Sequence, residues 1–183
     1  MLDHHLAEVC IESEAVYEGG LLKVYKDRVR LPDGSHSTRE YVKHPGACVI
    51  IPEVRPGVFI FERQFRYPLQ QVFIEFPAGK LDAGEAPLAC AKRELTEETG
   101  YSAEEWIHLG ATHNCIGYSD ERIEIFLARK VSAGQQQLDS GEFLEIFEMS
   151  LSESMRAVRE GFITDAKTIA CLFWLASLGG QGT

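Results

Sequence analysis

The stretch PAGKLDAGEAPLACAKRELTEETGY, residues 77–101, decides how this chain is read. Leu88, Ala91 and Leu95, with Ala89 less strongly, recur at three- and four-residue spacing with charges between them, so Pro87–Thr99 reads as a helix with one apolar face. Pro87 stands in the first turn, where a missing N–H is no loss, and Gly100 follows as the stop. Glu94, Glu97 and Glu98 stand at i, i+3 and i+4, so their carboxylates share a face. Like charges so placed repel by about a few tenths of a kcal/mol per exposed pair, whereas a hard cation that takes several carboxylate oxygens gathers them. Asp82 and Glu85 add acid ahead of the helix, and Arg93 is the adjacent counter-charge. Taken alone, such a cluster reads more often as a solvated helix face.

Outward from this helix the chain reads mostly as strands. On the N-terminal side, Ala15–Leu31 alternates loosely, Pro32-Asp33-Gly34 is a turn, and Ser37–Lys43 pairs back as a hairpin. His44-Pro45-Gly46 marks a boundary, after which Ala47–Ile51, Val58–Phe65 and Val72–Phe76 are β-rich runs, the first two separated by Pro52–Gly57. On the C-terminal side, Trp106–His113, Arg122–Val131 and Phe143–Met149 read as strands. Ser150 or Ser152 caps a helix through Glu160, Asp165 caps an apolar helix through Leu178, and Gly179–Thr183 is a tail. The architecture expected is α/β in the α+β sense, a mixed sheet with a few helices.

The length of 183 residues holds one compact domain, or one domain with a small N-terminal appendage. With 45% hydrophobic and 25% charged residues the composition is that of a globular protein. A formal net charge of −10 argues against a nonspecific nucleic-acid binder, because phosphate contacts need a basic surface. An acidic chain that handles phosphates needs cations. Five cysteines, Cys10, Cys48, Cys90, Cys115 and Cys171, are odd in number and free of any CxxC pair, which disfavours a disulfide framework or zinc cluster and suits reduced thiols in the cytoplasm. The six histidines include no pair at metal-helix spacing. Met1–Cys10 carries Asp3, His4, His5 and Glu8, unlike a signal peptide, and the best apolar run, Ile169–Leu178, is too short to span a membrane. A cytoplasmic protein without membrane or nucleic-acid partners is expected.

The full spacing of the acidic segment changes the weight of its parts. From Gly79 five residues lead to Glu85, seven more lead to Arg93-Glu94-Leu95, and Thr96 precedes Glu97-Glu98-Thr99-Gly100-Tyr101. This resembles the Nudix box, a loop-helix-loop signature; every charged and glycine position is met, and Tyr101 stands where a bulky aliphatic is usual. The resemblance implies the Nudix fold, a mixed β-sheet sandwiched between α-helices, and a metal-dependent hydrolase of nucleoside diphosphate derivatives. It implies Mg²⁺, with Mn²⁺ as a substitute, held by the carboxylates of Glu94 and Glu98 and the Ala78 carbonyl, with Glu97 supporting or ligating another ion. Glu85, Gly79 and Gly100 hold the loop.

The similarity runs over most of Thr38–Trp174. Arg39-Glu40-Tyr41-Val42, Arg63-Gln64-Phe65-Arg66-Tyr67-Pro68, Glu75-Phe76-Pro77-Ala78-Gly79-Lys80 and Gly117-Tyr118-Ser119-Asp120-Glu121 resemble the ADP-ribose pyrophosphatase branch. That likeness implies cleavage of a nucleotide sugar, ADP-ribose to AMP and ribose 5-phosphate, by a homodimer whose N-terminal strands exchange. Residues 1–44 would be the dimerisation element and 45–183 the hydrolase domain. Ile116 stands where that branch usually has proline, which leaves GDP-mannose-type nucleotide sugars open. By the same likeness Arg39, Arg66 and Glu121 contact substrate. Arg93, Glu97, Glu98 and Glu142 form the catalytic set, Glu142 as the base from the loop Gly134–Glu142, with Glu145 second. A non-catalytic nucleotide-sugar sensor is the rival class, and intact box carboxylates weigh against it.

Overall fold

The computed structural model describes residues 3–179; of the expected tail, 180–183 lie outside the described residues. The chain divides into two compact units, one running up to His44 and joined by Cys115–Glu121, the other made of Pro45–Asn114 and the chain from Arg122 onward. Cys115–Glu121, read above as part of the hydrolase domain, groups with the N-terminal unit. The cause is local: the Val42 N–H donates to the Tyr118 carbonyl at 2.8 Å and the Asp120 N–H to the Val42 carbonyl at 3.3 Å.

The N-terminal unit is an antiparallel meander of β1 (Val9–Glu18), β2 (Lys23–Arg30) and β3 (His36–Lys43). The turn between β2 and β3 is built as the sequence implies, with Gly34 at φ 86° and the Asp33 carboxylate accepting the Ser35 N–H at 2.9 Å. β1 starts well before Ala15. Glu12, Ser13 and Glu14 break the apolar alternation, but pairing with β2 supplies their partners, such as Ser13 Oγ donating to Asp27 at 2.6 Å. Every residue of β1 is exposed.

The larger unit holds β4 (Ala47–Arg55), β5 (Val58–Arg66), β6 (Gln71–Glu75), β7 (Ala78–Lys80), α1 (Pro87–Thr99), β8 (Tyr101–Thr112), β9 (Ile123–Ala133), β10 (Leu144–Ser150), α2 (Leu151–Arg159) and α3 (Ala166–Gly179). Its sheet has the order β10-β5-β4-β9-β8, with β4 parallel to β9 and the other pairs antiparallel. Val49, Ile51, Phe59, Phe61, Ile125 and Leu127 point to one face and pack with Ala157 of α2 and Cys171, Leu172 and Leu175 of α3. Cys48, Ile50, Phe126 and Ala128 point to the other and pack against Cys90, Ala91 and Leu95 of α1. A mixed sheet between helical layers is therefore what forms.

Several boundaries move for physical reasons. β4 runs on through Pro52, whose missing N–H falls where the β4–β5 ladder is not formed, since those strands pair only at Glu53 and Arg55. Beyond that hairpin the two strands take other partners: β6 lies on β5 and β7 on β4. β7 is too short and glycine-rich to show in the sequence pattern. β8 starts directly after Gly100 rather than at Trp106. Ser150 caps α2 in a capping box with Glu153, and the Asp165 carboxylate accepts the Thr168 N–H at 3.0 Å to start α3. None of the five cysteines forms a disulfide. No helix among the described residues is long and apolar enough to cross a membrane.

Candidate active site

The site begins where β6 hands over to β7. The Phe76 N–H donates to Thr168 Oγ1 at 3.0 Å, and the Pro77 carbonyl accepts the Ile50 N–H at 2.8 Å, so the crossing from β5 to β4 is tied at both sides. The next N–H, that of Ala78, donates to Glu98 Oε2 at 2.9 Å. Gly79 then passes so close to the helix that a Cβ there would stand 1.8 Å from the Glu94 carboxylate. The glycine is needed for that approach, which seats Glu94 and Glu98 against the backbone of residues 78 and 79.

Arg93 organises the outer half of the cluster. Its Nε and Nη2 donate to the two Glu85 oxygens at 3.0 and 2.9 Å, while Nη1 donates to Glu94 at 2.7 Å and Glu97 at 2.9 Å. Glu85 also accepts the Asp82 N–H at 3.0 Å, which pins the loop ahead of α1. Paired in this way, the Glu85 carboxyl is held down at about 2, chiefly by the Arg93 bond. Gly100 ends the helix at φ 75°, and a Cβ there would meet the Gln136 backbone nitrogen at 2.6 Å.

That close approach marks a feature the sequence did not announce. The loop after β9 is fastened to the end of α1: the Gly134 N–H donates to the Gly100 carbonyl at 2.7 Å, the Gln137 N–H to the Glu97 carbonyl at 3.0 Å, and the Gln136 amide to the Glu98 carbonyl. These bonds satisfy carbonyls that a helix end leaves open. They also fix the root of the loop that carries Glu142, whose Oε1 lies 3.5 Å from Gln64 Nε2 on β5. Glu145, by contrast, pairs with Arg63.

The floor holds a carboxylate that sequence reasoning missed. Phe59 and Phe61 of β5 enter the core under α2 and α3, so strand alternation sends Ile60, Glu62 and Gln64 to the α1 side. Glu62 is 0% exposed, and among the described residues its two oxygens are the buried side-chain atoms without a hydrogen-bond partner. Burial pushes its carboxyl up to about 8, with Glu75 the next cause. Burial also raises Glu98 well above the carboxylate range, with Glu62, Glu94 and Glu142 adding like charge, and it raises Glu94. Glu75, opposite Glu62 in the strand register, takes both Arg66 Nε at 2.7 Å and Arg66 Nη2 at 2.8 Å, and also Lys167 of α3. Burial opposes ionisation of Glu75, but those two cations outweigh it and hold the carboxyl low. The only sequence sign of Glu62 is a charge directly after the apolar run Val58–Phe61, which reads as the polar end of a strand.

Of the other residues singled out from the sequence, Arg66 is in this network, bound to Glu75. Arg39 and Glu121 belong to the N-terminal unit, where Arg39 pairs with Glu8 and Glu121 stands 3.5 Å from His44.

As placed, no three His, Cys, Asp or Glu side chains among the described residues close into a cage for an ion. Glu94 and Glu97 clasp Arg93 while Glu98 bonds Ala78. The donors nevertheless suit a hard divalent cation: all are oxygens, and Glu94 and Glu98 sit where burial and like charge oppose ionisation, a cost that a bound cation offsets. Without a cation, that cost shows in stability. Between about pH 4.5 and about 8 folded Glu62 keeps a proton that the unfolded chain has released, so stability is full below that window and declines as pH rises through it. We expect the chelator-treated protein to lose on the order of 5 kcal/mol across the window and Glu62→Gln to flatten the decline, as measured by urea unfolding at each pH.

Comparison with known proteins agrees with this geometry. Residues 42–170 match the NUDIX domain, and residues 8–42 match the Nucleoside diphosphate sugar hydrolase N-terminal domain. The chain is 38% identical over 172 residues to the ADP-ribose pyrophosphatase of Bacillus subtilis (strain 168), covering 93% of each. It is 38% identical over 172 residues to the methanol dehydrogenase activator of Bacillus methanolicus, covering 92% of each. A solved ADP compounds hydrolase superposes with a TM-score of 0.85 over 97% of both chains at 23% identity, a likeness of fold. The loop-helix site and a match over most of the chain's length place this protein in the NUDIX domain family.

Proposed function

We propose that this Nudix pyrophosphohydrolase cuts the diphosphate linkage of a nucleoside diphosphate sugar, with ADP-ribose split to AMP and ribose 5-phosphate. The observation that carries the reading is the pair Glu94 and Glu98 packed on the Ala78–Gly79 backbone, where the groups able to ligate an ion are oxygens. The kinship with an ADP-ribose pyrophosphatase over 93% of the chain supports the substrate. Glu94 and Glu98, with the Ala78 carbonyl, would hold Mg²⁺, or Mn²⁺ in its place, and Glu97 would support a further ion. When bound, the metal neutralises the diphosphate and lowers the pKa of water, so that hydroxide is available near neutral pH. Arg93 keeps Glu85, Glu94 and Glu97 in register for that task. Glu142 accepts the proton of the attacking water, and Arg39, Arg66 and Glu121 are the proposed substrate contacts. The fully exposed β1 strand, which carries Val9, Ile11, Val16 and Tyr17, supports strand exchange in a homodimer.

The test is incubation with ADP-ribose, GDP-mannose, NADH and diadenosine compounds plus Mg²⁺, with products separated by chromatography. Preferred release of AMP from ADP-ribose is expected; GDP-mannose as the preferred substrate would replace the narrower assignment, and no hydrolysis of any diphosphate would support a sensor. A second expectation concerns Gly79→Ala. The added methyl meets first the flexible end of Glu94, so the fold yields easily while the carboxylate is pushed aside. Turnover should fall about 10²-fold with an almost unchanged thermal midpoint, because a displacement of about 1 Å in a positioned group costs that much. Steady-state kinetics beside thermal melts would show whether the two separate.

A further inference from the structure

We propose that Glu62 is a positioning residue of the cation site, its carboxylate accepting hydrogen bonds from water carried by the divalent ion beside Glu98. The inference rests on the reading of Glu94 and Glu98 as ligands given above. Three observations carry it. Glu62 is wholly buried on the α1 side of β5, and neither oxygen meets a donor. The cations that would serve a merely structural carboxylate, Arg66 and Lys167, are already taken: Arg66 gives Nε and Nη2 to Glu75, and Lys167 Nζ bonds Glu75 and Asp165. Gln64, two residues along the same face of β5, comes within 3.5 Å of Glu142, so the face that carries Glu62 borders the loop of the proposed base.

A buried carboxyl with no partner is costly, above all when ionised; an apolar side chain of similar size would avoid that cost, and an amide would avoid the part due to charge. Its partner therefore comes from outside the chain and brings donors. Contact through water, not direct ligation, follows from the spacing: no three acidic side chains among the described residues lie close enough to share one bare ion. A hydrated ion spans wider gaps, and Mg²⁺ in particular retains several waters. Carboxylates that hold a metal's outer partners commonly alter affinity by about 10- to 100-fold.

The experiment titrates metal-free wild type, Glu62→Gln, Glu62→Leu and Glu98→Gln with Mn²⁺, following free Mn²⁺ by its electron paramagnetic resonance signal, and records the metal-free thermal midpoint of each. Both Glu62 variants should bind Mn²⁺ about 10- to 100-fold more weakly while melting at or above the wild-type temperature without metal. A structural role predicts the reverse, a lowered midpoint with unchanged affinity, and would overturn the proposal. Should Glu62→Leu fail to fold, Glu62→Gln, which keeps shape and volume, decides alone. Loss of Mn²⁺ binding in Glu98→Gln but not in Glu62→Gln sinks the role of Glu62 and leaves the cation site standing. Unchanged binding in both sinks the cation reading and the inference with it.

Discussion

Glu98→Gln should lower turnover by about 10³-fold or more while leaving the protein as stable as before, or more stable. The two halves of this expectation have separate causes. An amide keeps an oxygen to accept the Ala78 N–H now held at 2.9 Å, so the β7–α1 contact survives. It also removes a carboxyl that burial and Glu62 hold well above the ordinary range, so the metal-free fold no longer bears the cost of ionising it near neutral pH. What it cannot do is supply a charged oxygen to a cation, and Lewis-acid assistance of this kind is worth several kcal/mol of barrier, where each ~1.4 kcal/mol is tenfold in rate. Initial rates at saturating Mg²⁺, set beside thermal melts in chelator, measure both halves. Turnover within tenfold of wild type would remove Glu98 from the site.

The second large effect is expected at Glu142. Glu142→Gln should reduce kcat by about 10²–10⁴-fold with little change in KM, since a positioned base acts on the transition state and not on ground-state binding. Glu145→Gln is the matched control. Both glutamates flank the start of β10, but Glu145 is spent on Arg63, whereas Glu142 lies 3.5 Å from Gln64 on the α1 side and adds to the charge felt by Glu94 and Glu98. Glu145→Gln should therefore keep near-normal turnover. A reversed ranking of the two variants would show that the loop turns over in solution and would transfer the base role to Glu145.

The acidic helix was legible because its signals are local. Pro87 and Gly100 mark its ends, its apolar stripe has the helical period, and the structure forms it with the same limits, Pro87–Thr99. The Pro32–Gly34 turn, a cap at Ser150 or Ser152 and the cap at Asp165 were readable for the same reason, since each is a property of a few adjacent residues, and the fold uses Ser150. β7 was not readable. Three residues, Ala78–Lys80, have no periodicity to display and become a strand only because β4 offers them a free edge where its pairing with β5 stops. The fastening of residues 134–137 onto α1 was equally hidden, since Gln136 and Gln137 look like any polar loop until the helix end presents open carbonyls.

Sequence alone determined that carboxylates would cluster on one helix face beside a glycine loop, because both helical spacing and loop chemistry are set by neighbours along the chain. Only the tertiary structure decided which of those carboxylates are free to act. Arg93 holds Glu85, Glu94 and Glu97, the crossing from β6 to β7 brings the Ala78 N–H to Glu98, and a strand far upstream places Glu62 on the α1 side with no donor of its own. The physical reason is that burial and charge pairing depend on what the rest of the fold packs around a side chain. No reading of spacing along the chain contains that information.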